Sequence, residues 1–429
     1  MIVLIVAPFL VPLQTYIDQA EQAAGEALGA PVRIGSMHLA LLPTPRLNVS
    51  DVVVGNDEDF TVEDVAVVPA LSTLFSEART ISSLKIKRPV IKRSALELAA
   101  ALGKGDADDT PTSVAIRRIS ISRAQLLWPG MDLPEFSADV VLKENNRPES
   151  ARIVTTDGKV KISLEPEGDK RHITVNAWGW TLPAGVPLLL NRLEGEMTLT
   201  DDRLHVRRLD IGLYEGSMSA DAVLGWQKNW TLEGRLNVKD VQVAQPVRMV
   251  SPSTQLSGWL NGEGEYRASA QEAGKLLEQL QANFGFRVRD GVLDGFDLAK
   301  AAALLGTRSG VDGQTRFDTL TGNLNVAGRQ YHLRNLDIAS GLLRATGDVK
   351  IRPNRQLGGE VKVELKKEAT LVAIPLQVTG TTESPMLLPT KAALAGAVAG
   401  TAVLGPGVGT SLGIQAVDKL KGLFGNNKD

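Results

Sequence analysis

At 429 residues the chain is long enough for a few domains of about 150 residues each. Its 47 Lys and Arg against 49 Asp and Glu leave a formal charge of -2, which excludes the cationic excess of a general nucleic-acid binder. It has no cysteine and only four histidines, which removes disulfide scaffolds, thiolate metal sites and cysteine nucleophiles and leaves little for acid–base work.

The first 17 residues, MIVLIVAPFLVPLQTYI, carry no charge, although Pro8 and Pro12 interrupt them. A spanning helix needs roughly 20 apolar residues. Without a basic opening or a small-residue cleavage site, 1–17 reads as an uncleaved membrane anchor, with a buried core helix as the alternative. Leu13 to Leu28 has helical composition and meets Gly29 and Pro31 at its end. Residues 18–102 form an N-terminal module. It ends in LKIKRPVIKR, where Lys85, Lys87, Arg88, Lys92 and Arg93 alternate with Leu84, Ile86 and Val90. That run reads as a strand with one charged face, or as a patch facing anionic lipid. The acidic, turn-rich residues 103–113 read as a linker.

From 114 to 390 the dominant signal is alternation with period two, which places successive side chains on opposite faces of a sheet. Val160, Ile162 and Leu164 alternate with polar residues, as do Leu232, Leu236 and Val238, then Leu320, Leu324 and Val326, then Val361, Val363 and Leu365. Lys161, Glu233, Arg235, Lys362 and Glu364 fall on the other face. The expected fold is mainly β: a long antiparallel meander, curved into a groove, with an N-terminal anchor helix and a few short helices. Turns are expected at Asp157-Gly158, Gly322-Asn323 and Ala327-Gly328, and helices over Glu272–Phe284 and Asp297–Leu305. The tail, 391–429, contains 26 uncharged residues from Ala392 to Val417, six of them glycine. It suits either membrane contact or a cap over the open end of a sheet.

Motifs for chemistry fail on context. Gly409-Thr410-Ser411-Leu412-Gly413 has the form of a nucleophile elbow, but the last histidine, His332, precedes it. His38, His172, His205 and His332 lack the spacing of a metal site. Asp106, Asp108 and Asp109 lack the glycine and distal glutamate of a calcium loop. The expectation is a protein that is not an enzyme and needs no cofactor or metal.

Three groups of segments resemble the AsmA family of bacterial envelope proteins. The first runs through Gly29-x-Pro31-Val32-x-Ile34, then PTPRLNVSDV (Pro43 to Val52), and ends at Arg88-Pro89-Val90-Ile91. The second is RDGVLDGFDLAKAAALLG, Arg289 to Gly306. The third runs from Phe317 to Ile351 and closes with Val378-x-Gly380-Thr381 followed by Pro385. The chain departs from the family pattern after Arg88-Pro89, where SALELAAALGK follows, and a shorter groove is expected.

The resemblance implies anchoring in the bacterial inner membrane by a single N-terminal span, with the bulk in the periplasm. It also implies a bridge-like apolar groove that carries phospholipid toward the outer membrane. On that reading the twelve alternating residues from Val160 to Leu365 line the groove. The partners are membrane phospholipids, the inner membrane through 1–17, and the outer membrane or assembly proteins through the tail, with no nucleic acid. A scaffold or regulator of outer-membrane protein assembly is the other reading.

Overall fold

The computed structural model describes residues 14–70, 72, 79–95, 114–183, 187–250, 255–295, 297–299, 313–341, 343–367 and 370–390. The expected linker 103–113, the tail 391–429 with its Ser411 motif, and the Asp106–Asp109 cluster lie outside these residues, as do 1–13 of the expected anchor. The chain divides into two units at Asp201/Asp202, inside the stretch read from sequence as one region.

In the first unit, helix α1 (Gln14–Leu28) packs on strand β1 (Val32–Ala40). It is amphipathic: Ile17 is buried, Asp18, Gln22 and Glu26 are exposed, and the Glu21 carboxylate accepts the Ile34 amide at 2.7 Å. Among the described residues no helix is long and apolar enough to cross a membrane. The helix expected from Leu13 to Leu28 is found at Gln14–Leu28, and of the expected anchor 1–17 only 14–17 are described.

Strands β2 (Arg46–Val54), β3 (Phe60–Pro69) and β4 (Arg79–Lys87) continue antiparallel from β1. The basic run is not one strand. It breaks at Arg88, whose φ is +47°, and Pro89, whose side chain is fully buried, then resumes as β5 (Val90–Lys92). Proline has no amide to give a ladder, which is the physical reason for the break. The Arg88 guanidinium pairs with Glu63.

The meander changes sense next. β6 (Val114–Ile116) and β7 (Arg118–Leu127) pair parallel to β4, and β7 pairs parallel to β5. A hairpin cannot join parallel strands, so the meander is broken between β5 and β6. The expected antiparallel meander holds apart from these three parallel pairs. Antiparallel order returns through β8 (Phe136–Leu142), β9 (Pro148–Thr155), β10 (Val160–Glu167), β11 (Lys170–Thr181) and β12 (Leu189–Leu199).

The second unit is an uninterrupted antiparallel meander. Its strands are β13 (Arg203–Leu213), β14 (Gly216–Gly225), β15 (Trp230–Gln242), β16 (Gln255–Ala270), β17 (Gln281–Asp294), β18 (Gln314–Ala327), β19 (Gln330–Ala339), β20 (Leu343–Ile351), β21 (Leu357–Lys367), β22 (Thr370–Gly380) and β23 (Pro385–Pro389). The helix expected over Glu272–Phe284 is instead two 3-10 turns, Ala273–Lys275 and Leu277–Gln279, followed by the start of β17. Gly322-Asn323 is no turn but the middle of β18. Of the helix expected at 297–305, Leu298 and Ala299 are helical and 300–305 lies outside the described residues.

Among the described residues two apolar clusters anchor this unit. Val243, Val288 and Phe317 pack with Val247 of α2 (Ala244–Val250). Leu298, Leu343, Ala345, Val363, Ile374, Leu376, Val378 and Leu387 form the other.

Candidate apolar binding face

Register turns the alternation of each strand into rows that run across strands. In the first unit Met37, Val49, Val65, Ile86, Ile121, Ala138, Ile153, Ile162, Val175 and Gly195 are successive cross-strand partners. A second row beside it includes Leu84, Ile119, Val140, Leu164, Ile173 and Met197. Val160 joins Ala177 and Leu193. These rows pass through the parallel β4–β7 pair without changing face.

The second unit repeats the pattern. One row runs Leu209, Ala220, Leu236, Gly264, Phe284, Leu324, Leu333, Val349, Gly359, Val378 and Leu387. Another runs Ile211, Met218, Val238, Gly262, Phe286 and Gly322, and on β20–β22 the same face carries Gly347, Val361 and Leu376. Leu224 and Leu232 lie outside the first of these rows, and Val288, Leu320 and Ile338 lie outside the second. The Val326–Tyr331 and Val363–Ile374 pairs fall on the same face. The sheet thus brings the nine expected groove residues of this unit to one face, and the three of the first unit to one face there.

Exposure separates them. Val363 is 0% exposed and sits in the cluster around Leu376, with Val361 and Leu365 packed against it. Leu320 packs against the Val288 cluster, and Val160 and Val238 are buried. Leu232, Leu236, Leu324 and Val326 are half-buried, as are Ile162 and Leu164. The accessible part of the face in the second unit therefore lies nearer β14–β19 than β21.

Aromatic rings that the sequence reading did not single out complete this face, and each lies over a glycine of the next strand. A Cβ on Gly262 would fall 2.6 Å from Phe284 Cζ, one on Gly291 2.2 Å from Phe317 Cζ, and one on Gly322 2.9 Å from Phe286 Cζ. Tyr266 covers Gly234, and its hydroxyl donates to the Asp221 carbonyl at 3.1 Å, which satisfies the one polar atom on that ring. Burial, followed by the nearby Asp221 charge, pushes its phenol pKa up. Ring-over-glycine packing shields backbone and flattens the apolar surface. The available signal was the spacing of Phe284, Phe286 and Val288, hidden by reading Phe284 as the end of a helix.

The opposite face is polar. Over β13–β18 it carries two concavities of about 830 and 640 Å³, around Arg207, Arg208, Asp210, Arg235, Glu265 and Asn283. Arg208 pairs with Asp210, and Arg235 stands 3.7 Å from Asp221. These hollows thus lie on the polar side of the strands, apart from the apolar rows. Among the described residues no three His, Asp or Glu side chains are placed to hold a metal ion.

Compared with curated proteins and with solved structures, the chain has no match. A family model does match, over residues 184–330, about a third of the chain. That span holds the Arg289–Gly306 segment and the start of the third segment group, but neither the Gly29–Ile91 segments nor the Val378–Pro385 closure. By this match the chain is AsmA-like, carrying the AsmA family pattern from 184 to 330 on a mainly β framework.

Proposed function

We propose that the chain is an inner-membrane-anchored protein of the bacterial envelope that carries phospholipid along the apolar face of its sheets in outer-membrane biogenesis. The reading is of a non-enzymatic protein without cofactor. The supporting observation is the row from Leu209 through Leu236, Phe284 and Leu324 to Val378, apolar or glycine at every strand it crosses. An acyl chain laid across such rows gains about 0.8 kcal/mol per buried CH₂, and a charged headgroup stays in water. Movement along the rows then exchanges like contacts for like, so no step needs chemistry.

The test is lipid mass spectrometry on residues 14–390 purified without detergent, beside a size-matched β-rich control. Stoichiometric phospholipid on this chain alone is expected. Phospholipid at the control's level overturns the reading.

A second reading is a scaffold for outer-membrane protein assembly. Among the described residues β23 pairs only with β22, and a strand edge so placed can accept a client strand. Assembly defects without bound lipid would favour it.

A further inference from the structure

Burial on the apolar face of the second unit changes along its strands. On β15 Val238 and Val241 are buried while Leu232 and Leu236 are half-buried, and on β17 Val288 is buried while Ala282 and Phe284 are half-buried. Phe317 against Leu324 and Val326 on β18 repeats the difference, as do Leu343 and Ala345 against Val349 and Ile351 on β20. Antiparallel register puts every buried member of these sets toward the same rim of the sheet.

At that rim α2 follows β15, and the helical turn at Leu298 follows β17. Val247 of α2 packs on the cluster of Val288 and Phe317. Leu298 packs with Leu343, Ala345 and Val363, and its amide donates to the Thr315 hydroxyl at 2.9 Å. Both connections thus fold over the apolar side and seal it along this rim.

The other rim carries the β14–β15, β16–β17, β18–β19, β20–β21 and β22–β23 connections. Leu276 and Ala268 are buried at the β16–β17 connection, and the other four are short turns. Their charges do not balance. Lys275 pairs with Glu272 at 3.1 Å and Arg355 with Glu383 at 2.6 Å. Lys228, Arg329 and Arg352 are exposed and make no ion pair among the described residues, and Glu278 alone stands against these three cations. Arg352 donates to the neutral Gln356 side chain at 3.4 Å. Successive connections on one rim are two strands, or about 10 Å, apart, so the three cations form a line along the rim.

A phosphate cannot follow its acyl chains onto a dry face without a large desolvation cost, so it has to leave across a rim. The sealed rim would set it against Val247 and Leu298. The other sets it beside exposed cations with which it makes charge-assisted hydrogen bonds. Building on the lipid-carrying reading above, we propose that phospholipid enters and leaves the second unit across this rim, its phosphate held by Lys228, Arg329 and Arg352.

The test uses the full chain in phosphatidylcholine vesicles doped with one of three photoactivatable probes. These are phosphatidylethanolamine with a diazirine on its headgroup nitrogen, the same lipid with the diazirine at an acyl end, and diacylglycerol with it at an acyl end. Mass spectrometry locates the adducts. Headgroup adducts are expected at 226–229, 328–331 and 352–356, and acyl adducts on the rows through Leu236, Phe284 and Leu324. Acyl adducts on those rows with headgroup adducts equally at Glu215 and α2 overturn this proposal and leave lipid carriage standing. No adducts from any probe overturn both.

The Lys228→Gln/Arg329→Gln/Arg352→Gln variant changes exposed turn residues alone. Its headgroup adducts should fall severalfold, while its diacylglycerol adducts stay at the parent level. Unchanged headgroup adducts, or an equal fall for diacylglycerol, overturn the role of the cations. Equimolar inorganic phosphate should leave the parent's headgroup adducts in place, and their loss would make the rim a site for free phosphate and overturn the proposal.

Discussion

Arg289 donates to Asp240 at 2.7 Å although their strands, β17 and β15, are separated by β16. The bond is possible because both strands bulge at this level: Asp240 has φ +48° and Asp290, next to Arg289, has φ +50°. Asn261 of the intervening strand donates to the same carboxylate at 2.9 Å and accepts the Asp240 amide at 3.1 Å. A bulge twists its strand and frees a residue from the ladder, and here the freed carboxylate ties three strands.

The Asn261 and Arg289 bonds hold the Asp240 carboxyl below the ordinary aspartate range. A depressed carboxyl contributes stability that is present above its unfolded pKa, about 3.9, and is lost as pH falls through the lower folded value. Asp240→Asn should therefore lower the melting temperature at pH 7, with the gap to the parent closing below about pH 4. Melting curves across pH 2–7 check this; a gap independent of pH would contradict it.

Val363, wholly enclosed, and Leu236, half-buried in the accessible part of the face, answer differently to truncation. Val363→Ala should cost about 2 kcal/mol through lost contacts and a residual cavity. Leu236→Ala should cost about half that, because water already reaches part of the side chain. Denaturant unfolding gives both values.

Gly291 and Phe317 should prove coupled. Alanine at 291 puts a methyl 2.2 Å from the Phe317 ring and 2.5 Å from the Ser257 carbonyl, so Gly291→Ala should destabilise by about 1–3 kcal/mol. Phe317→Leu should recover part of that loss in the double variant, because it relieves the ring contact but not the carbonyl contact. A double-mutant cycle in unfolding free energy measures the coupling, and strictly additive costs would refute it.

Neighbouring residues on opposite faces separate lipid carriage from general disruption. Leu236→Glu and Leu324→Glu place a charge on the apolar rows, and Asn237→Glu and Asn323→Glu place one on the polar face one residue away. Bound phospholipid should fall severalfold for the first pair and stay near the parent level for the second. Equal loss in both pairs would sink the assignment of lipid to the apolar face.

Much of the sheet was legible because period two is a local property. Val160, Ile162 and Leu164, or Leu232, Leu236 and Val238, show their shared face without reference to any other strand. The helix–strand conflict at Glu272–Phe284 was not legible. Leu276, Leu277, Leu280 and Phe284 have helical spacing, and β17 begins at Gln281 because β16 and β18 offer it ladders on both sides. Gly322 likewise resembled a turn residue, but it is in mid-strand because Phe286 needs its missing side chain.

The sequence by itself determined that the chain is a β protein with one apolar and one charged side to its strands, since alternation needs only the geometry of the extended chain. Tertiary structure decided the rest. Pairing joined the alternating residues into rows, and α2 and the Leu298 turn set which parts of the face are enclosed. Pairing also ran β7 parallel to β4 and left a hollow on the polar side of β13–β18. These depend on contacts between residues tens of positions apart, which no local period encodes.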